Sequence, residues 1–136
     1  LEDSLVLATP YSDNLKNNDL NIDSLQNQKW IAREDGSGTR EYLNLFLTQN
    51  KIVPNSIMVL GSNLAVKEAV RNNLGITIIS RLVVSEAEAW KELSTLNLNT
   101  EFSRSFSVIY PKELRLSKAA DIFLQELKSY VANTLS

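Results

Sequence analysis

The sequence predicts an α/β fold, in which helices flank a mainly parallel sheet. Short apolar runs alternate with helical patterns along the chain, an order that is typical of α/β domains. One run, Ile76–Ile79, is almost continuously β-branched, as a strand buried on both faces requires. Two other runs are followed by a glycine shortly before a helical pattern begins, at Gly36 and Gly61. Ligands of such sheets bind at the carboxyl ends of the strands, so we expect a site at these two turns.

Composition narrows the class of protein. The chain has 136 residues, which is enough for one domain with a core and too few for two large ones. Its net charge of −2 provides no broad basic surface for nucleic acid. The sequence contains no cysteine and no histidine, which excludes thiol catalysis, disulfides and the common zinc sites, and removes the usual general base. No apolar run approaches membrane-spanning length. We therefore expect no cofactor, no metal and no membrane partner.

The elements before the first glycine turn are predicted as two strands and a polar connection. Leu5–Ala8 is predicted as a strand that ends at Pro10, because proline cannot donate to the next ladder bond. Tyr11–Gln28 is rich in asparagine and aspartate, so it forms a solvated loop or a short helical turn. The second strand is Lys29–Ala32, in which Trp30 is interpreted as a core or lid aromatic rather than a ligand platform. The alternative helical turn would be anchored by Leu20, Ile22 and Leu25 and capped near Asp19 or Asn21.

The middle of the chain predicts two helices separated by a strand. Apolar residues recur at helical spacing between Glu41 and Asn50, which indicates a helix with one buried face. Ser56–Leu60 is predicted as a strand, and Ser62 as the N-cap of the helix that follows it. The first helix buries Tyr42, Leu43, Phe46 and Leu47; the second buries Ala65, Ala69 and Val70, with Leu64 or Val66.

The last part of the chain continues the alternation. Gly75 opens the β-branched strand, and Arg81–Trp90 is predicted as a helix whose Trp90 packs over the sheet edge. The alternating pattern of Leu93–Leu98 predicts an exposed strand or extended loop. Phe106–Tyr110 is predicted as the final strand. Ser117 is the expected cap of a last helix, whose apolar stripe consists of Ala120, Phe123, Leu124, Leu127 and Val131.

The first glycine turn, Arg33–Arg40, has the chemistry of an anion site. Its glycines let the backbone bend toward a ligand, and the first N–H groups of a helix have no internal acceptor. Those groups lie at the positive end of the helix dipole, where a carboxylate, sulfate or phosphate satisfies them. Ser37 and Thr39 add hydroxyls, and Arg40 adds a planar fork of donors. The alternative is an ordinary turn in which Ser37 or Thr39 caps the helix, and the residues alone leave both interpretations open.

The same motifs, taken in order, resemble a known family. The turn Arg33–Arg40 is similar to one in the effector-binding domain of LysR-type transcriptional regulators. Leu60–Val70 resembles the next strand end and helix of that domain, and Asn73–Ser80 resembles its Gly-Leu-Gly-Ile strand entry. Asn73 departs from the usual glycine, but asparagine also tolerates the left-handed conformation at a helix C-terminus. The resemblance continues through Phe106–Tyr110, Leu116–Ala120 and Phe123–Leu124, and so spans the chain from about Leu5 to Tyr130.

The resemblance implies a periplasmic-binding-protein-like architecture of two lobes. Residues 1–9 would be a crossing strand, residues 10–104 the second lobe, and residues 105–136 a returning strand and C-terminal helix of the first lobe. The chain begins with Leu1 rather than methionine, so we expect it to be a fragment of a longer protein. DNA binding would depend on a winged helix-turn-helix outside this sequence. The parent would be a cytoplasmic homo-oligomer.

The implied function is the sensing of a small anionic effector in the cleft between the lobes, which changes DNA binding by the parent. The candidate ligand-binding residues are Ser37, Gly38, Thr39 and Arg40, followed by Arg33, Glu34, Ser62 and Asn63. Two rival functions stay open. A solute-binding lobe of a transporter shares the architecture. A small α/β enzyme is disfavoured because no histidine is present to activate Ser37 and no Gly-x-Ser-x-Gly elbow occurs.

Overall fold

The computed structural model describes residues 1–13, 21–111 and 115–134, and the chain divides into two compact units. The larger is the sheet unit, Glu2–Arg104; the smaller is the helix unit, formed by Leu1 and Ser105–Ser136. The strands are β1 (Glu2–Pro10), β2 (Trp30–Arg33), β3 (Ile57–Leu60), β4 (Thr77–Ser80), β5 (Leu93–Asn97) and β6 (Ser103–Ser105). The α-helices are α1 (Ile22–Leu25), α2 (Gly38–Gln49), α3 (Asn63–Arg71), α4 (Arg81–Ala89) and α5 (Lys118–Thr134).

The sheet is mixed, with most strands running in one direction. Strand β1 lies between β4 and β5 and is antiparallel to both, while the short β6 also pairs with β1. Strand β2 pairs with β3 in parallel, and a parallel bridge joins Trp30 to Ile76, just before β4. Strands β2, β3, β4 and β5 therefore share one direction and β1 runs against them. The predicted α/β class with a mainly parallel sheet is confirmed.

Helices cover both faces of this sheet because alternate residues of a strand point to opposite faces. On one face, Leu5 and Leu7 of β1 pack in a cluster with Phe46 of α2. On the other face, Val6 and Ala8 share a cluster with residues of α3 and α4. Both faces of β4 are buried, as its composition predicts. Trp30 belongs to the first cluster and is 1% exposed, so its prediction as a core residue is confirmed.

Three helices of the sheet unit end in the same way. The residue after each C-cap has a positive φ: Lys51 at 53°, Asn73 at 60° and Lys91 at 57°. The prediction that Asn73 takes the left-handed conformation is confirmed. The N–H of the following residue then donates to a carbonyl five residues earlier, as Leu74 does to Ala69 at 3.0 Å. The polypeptide thereby leaves each helix at a sharp angle and returns to the sheet.

Several local predictions are wrong or shifted. Trp90 is 74% exposed instead of packing over the sheet, because α4 ends at Ala89 and Trp90 is its C-cap. Strand β5 is buried at Leu93 and Leu96 rather than exposed, because it pairs with the central β1. The last strand is β6 and not the predicted Phe106–Tyr110, although Phe106 exchanges two hydrogen bonds with Leu1. Of the two alternatives for the polar connection, solvated loop or short helical turn, the helical turn is correct for Ile22–Leu25, and Asn21 caps it. Residues 14–20 lie outside the part of the chain that the structure describes.

The helix unit consists of Leu1, α5 and the residues from Ser105 that precede α5. Ser117 accepts a hydrogen bond from the Ala120 N–H at 3.2 Å, so the predicted cap is confirmed. Leu124, Leu127 and Val131, on the predicted apolar stripe, line a groove of about 590 Å³ together with Leu1, Phe106 and Val108. No helix in the described part of the chain combines the length and apolar character that a membrane span needs.

Candidate functional site

The turn between β2 and α2 is tight because Gly36 permits it. Gly36 has φ 85°, a left-handed conformation that side chains other than glycine rarely adopt. The Ser37 N–H donates to the Glu34 carbonyl at 3.3 Å and closes the turn. Helix α2 then begins at Gly38, three residues earlier than the hydrophobic pattern predicts. The polar residues Ser37–Arg40 thus form the N-cap and first turn of α2.

The N-terminus of α2 lacks the side-chain cap that the neighbouring α3 has. Ser37 occupies the N-cap position and its carbonyl accepts the Glu41 N–H at 3.2 Å, but its hydroxyl makes no capping bond. In α3, by contrast, the Ser62 hydroxyl accepts the Ala65 N–H at 3.0 Å. The first N–H groups of α2 therefore keep their capacity to bind an acceptor at the positive end of the helix dipole.

Thr39 provides a second unusual feature of this turn. The residue is only 5% exposed, and its hydroxyl forms no hydrogen bond to any residue that the structure describes. A hydroxyl that has no partner within the protein keeps its hydrogen-bonding capacity for water or a ligand. A ligand oxygen in the first turn of α2 would supply that partner.

An ion-pair bridge connects this turn with the start of α3. Arg33 donates to the Glu34 carboxylate from Nε at 2.7 Å and from Nη2 at 2.8 Å. Its Nη1 donates to Asn63 Oδ1 at 2.7 Å. The hydrogen bonds from Arg33, followed by a backbone hydrogen bond, lower the pKa of Glu34 to about 2. The two strand-to-helix turns that the sequence singles out are thus brought together, as neighbouring parallel strands β2 and β3 require.

Arg40 supports the backbone of the same turn. Its Nη1 donates to the Arg33 carbonyl at 3.1 Å and its Nε donates to Asn44 Oδ1 at 3.1 Å. Its Nε also lies 3.7 Å from the Asp35 carboxylate, which is almost fully exposed. These contacts hold the end of β2 against α2 and use much of the donor fork that the sequence suggested for a ligand.

Another arginine, which is not part of the sequence motif Arg33–Arg40, lies close to the start of α2. A Cβ placed on Gly38 would be 3.8 Å from Nη1 of Arg104. Arg104 Nε donates to Asp3 Oδ2 at 2.9 Å, and the Asp3 side chain is completely buried. The Ser80 hydroxyl donates to the other oxygen of the same carboxylate at 2.8 Å. The only hint in the sequence is an acidic residue just before an apolar strand, since 101 positions separate Asp3 from Arg104.

Comparison with known proteins identifies the family. Residues 1–132 match the family model described as LysR substrate binding domain. The chain belongs to this family. The HTH-type transcriptional regulator CysL of Bacillus subtilis (strain 168) is 37% identical over 131 residues, which cover 95% of this chain and 44% of CysL. The HTH-type transcriptional activator CmpR of Synechocystis sp. is 33% identical over 124 residues, covering 90% of this chain and 41% of CmpR.

Solved structures of LysR-type regulators share the fold. The regulatory domain of Synechocystis PCC6803 CcmR in complex with 2-PG superposes with a TM-score of 0.69 at 24% identity, covering 96% of this chain and 64% of that chain. The bromide-bound regulatory domain of Salmonella typhimurium HypT superposes with a TM-score of 0.70 at 15% identity, covering 98% of this chain and 63% of that chain. The predicted resemblance to LysR effector-binding domains is confirmed, and the relatives named above are transcriptional regulators rather than enzymes.

The LysR match leaves the ligand-binding residues as predictions. The structure brings Arg33, Glu34 and Asn63 into one hydrogen-bonded group, places Ser37–Arg40 at the start of α2, and gives Ser62 a capping role in α3. The chain spans less than half the length of the curated LysR-type relatives CysL and CmpR.

Proposed function

We propose that this chain binds a small anionic effector at the N-terminus of α2, in the cleft between two lobes of a LysR-type regulator. The single observation that carries the proposal is an uncapped helix N-terminus beside Thr39, whose hydroxyl makes no hydrogen bond to any residue that the structure describes. The N–H groups of the first turn and the hydroxyls of Ser37 and Thr39 would donate to the anion. Effector binding would then shift the equilibrium between arrangements of the parent protein and change its DNA binding.

The other candidates have less direct parts in this proposal. Arg40 adds positive charge beside the site while its donors hold the turn. Arg33, Glu34 and Asn63 form one network and would shape the rim of the site, with any contact to the effector made at the network's edge. Ser62 is assigned the capping role because its hydroxyl already accepts the Ala65 N–H.

Proteins of the same fold support an anion as the ligand class and DNA as the target of the parent protein. The HypT regulatory domain has a bromide-bound form, and the CcmR regulatory domain has a complex with 2-PG. Vibrio fischeri DarR, another LysR-type regulator, has a structure in complex with DNA. By analogy, we assign the parent of this chain to the cytoplasm, as an oligomer whose DNA contacts lie outside this sequence.

The experiment compares three variants of the intact protein. Thr39→Val removes a hydroxyl from the proposed site at nearly constant volume. Ser37→Ala removes a serine hydroxyl that caps nothing, and Ser62→Ala removes one that caps α3. For each variant, binding of sulfate, inorganic phosphate and simple carboxylates is measured by calorimetry, and the melting temperature is measured without ligand.

The proposal expects opposite results from the two serines. Thr39→Val and Ser37→Ala should each lower affinity about fivefold, since one hydrogen bond contributes about 1 kcal/mol, with little change in the ligand-free melting temperature. Ser62→Ala should lower the melting temperature and leave affinity unchanged, because loss of a cap costs about 1 kcal/mol of stability. If Ser37→Ala and Thr39→Val lower the melting temperature and leave affinity intact, the site assignment is wrong.

A further inference from the structure

We propose that Arg104 is a further effector-binding residue, that Asp3 and Ser80 position it, and that the site therefore selects an oxyanion such as a carboxylate, sulfate or phosphate group. The inference rests on the anion site proposed above, to which Arg104 would contribute a positively charged side chain. Arg104 is distant from the turn in sequence, so the motif that identifies the site does not include it.

The position of Arg104 relative to Gly38 carries the inference. Gly38 is the first residue of α2, and its missing side chain leaves Arg104 Nη1 3.8 Å from the point that a Cβ would occupy. A guanidinium group therefore lies close to the first residue of α2, whose N-cap Ser37 makes no side-chain capping bond. Backbone N–H groups, a hydroxyl and a planar cation together match the several oxygen atoms of an oxyanion.

The contacts of Arg104 fix the orientation of its guanidinium. Nε donates to Asp3 Oδ2, and this carboxylate has no exposed surface. Arg104 itself is 21% exposed on its side chain, so the pair runs from the interior of the sheet unit toward its surface. Because Nε is on one edge of the guanidinium, a bond from Nε to Asp3 restricts where the Nη atoms can point. One of them, Nη1, lies beside Gly38.

Ser80 strengthens this arrangement instead of capping its own helix. Ser80 is at the N-cap position of α4, where a serine hydroxyl ordinarily accepts a backbone N–H. Here the hydroxyl is directed to Asp3 Oδ1 at 2.8 Å and makes no capping bond. Both oxygens of the buried carboxylate are therefore bound, one by Ser80 and one by Arg104. Such a doubly held carboxylate is a rigid support for the arginine.

Arg104 also occupies a special place in the chain. It is the last residue of the sheet unit before Ser105, and Asp3 is the second residue of that unit after Leu1. The chain leaves the sheet unit at these two points, so the Asp3–Arg104 pair holds both connections at the sheet unit's end. An effector bound by Arg104 would therefore act on a residue adjacent to one of these connections and paired with a residue close to the other.

The test uses the intact protein and three probe anions: sulfate, inorganic phosphate and bromide. Arg104→Lys keeps the positive charge but removes the planar fork. The paired change of Asp3→Asn with Arg104→Gln removes both charges together, so no buried carboxylate is left without its partner. Gly38→Ala places a methyl group at ordinary contact distance from Arg104 and is compatible with the helix. Arg81→Gln is the control, since Arg81 pairs with Glu88 on the surface of α4.

The inference expects a selective loss. Arg104→Lys and the paired change should weaken sulfate and phosphate binding at least tenfold, and bromide binding less than threefold, because a spherical ion does not use the fork. Gly38→Ala should weaken sulfate binding without lowering the melting temperature. Ser80→Ala should reduce the ratio of sulfate to bromide affinity, whereas a purely structural role would reduce both affinities alike. Arg81→Gln should stay within twofold of the unmodified protein for every probe.

Two results would overturn the inference, and they differ from failure of the site itself. If Arg104→Lys and the paired change bind sulfate normally while Thr39→Val binds it weakly, the anion site stands without Arg104. If these variants lose affinity equally for all three probe anions and their melting temperature falls, the role of Arg104 is structural only. If the unmodified protein binds none of the probes or the simple carboxylates, the proposed function fails and this inference fails with it.

Discussion

Gly75→Ala should strongly destabilise the sheet unit, because the backbone of β2 leaves no room for a side chain at that position. A Cβ on Gly75 would lie 2.5 Å from the carbonyl oxygen of Lys29 and 3.1 Å from Cγ1 of Ile31. The first neighbour is a backbone atom, which cannot rotate away. The same carbonyl accepts the Ile76 N–H at 2.9 Å, and the Ile31 N–H donates to the Ile76 carbonyl at 2.8 Å. Alanine therefore forces apart the contact that joins β2 to β4.

The magnitude follows from these distances. Ordinary contact begins near 3.4 Å, so the Lys29 carbonyl must retreat by about 0.9 Å, which would stretch its bond with Ile76 beyond hydrogen-bond range. Overpacking costs about 1–3 kcal/mol, and each lost hydrogen bond adds about 1 kcal/mol. Alanine recovers about 0.5–1 kcal/mol by restricting the unfolded chain. A net loss of about 3 kcal/mol is expected, which for about 100 residues lowers the melting temperature by about 12 °C or more.

The assay is urea unfolding followed by tryptophan fluorescence. Trp30, buried at the β2–β4 junction, reports on the region that alanine disturbs, and Trp90→Phe removes the exposed second tryptophan from the signal. Gly61→Ala is the matched control, because no atom lies within 4 Å of a Cβ at that glycine. Gly61→Ala should shift the free energy of unfolding by less than about 1 kcal/mol. Equal stability of the Gly75→Ala and Gly61→Ala proteins would refute the argument from close backbone approach.

Two further predictions follow. Because the pKa of Glu34 is lowered to about 2 by Arg33, ionised Glu34 stabilises the folded state above its ordinary pKa, and this contribution is lost as pH falls toward 2. The stability difference between the unmodified protein and Glu34→Gln, measured by urea unfolding, should therefore shrink from pH 6 to pH 2; a constant difference would contradict the pairing. The exposed apolar residues of α5 should cause self-association of this 136-residue chain, visible by light scattering over a concentration series. Phe123→Ser should weaken the association, and a strictly monomeric chain at high concentration would count against this prediction.

The fold was predictable where hydrophobic pattern and local chemistry agree. The β-branched run at β4 and the alternation of strands and helices predicted the α/β class. The left-handed conformation of Asn73 was expected because the resembling family has a glycine there and asparagine tolerates the same conformation. Residues 93–98 were assigned to the surface, because alternation does not reveal that β5 lies beside the central β1. Trp90 was predicted to pack over the sheet edge, whereas the end of α4 leaves it exposed. In both cases the outcome depends on tertiary placement, which a single strand or helix does not encode.

The candidate site separates what sequence encodes from what only the fold provides. Ser37 and Ser62 both precede a helix after a glycine turn, and the pattern alone offers each of them the same two roles, helix cap or ligand contact. In the structure, the Ser62 hydroxyl caps its helix and the Ser37 hydroxyl does not. Arg40 and Arg104 also show that the role of a side chain cannot be assigned from its place in the sequence. Arg40 belongs to the motif but is held by the turn, while Arg104 arrives from the far end of the sheet unit through its pair with Asp3. The motif therefore marks the backbone of the proposed anion site, whereas the charge on such a site can come from any residue that folding brings to the helix N-terminus. For that reason the Asp3–Arg104 pair is a direct target for mutation, since the proposed site would take its charge from a residue outside the motif.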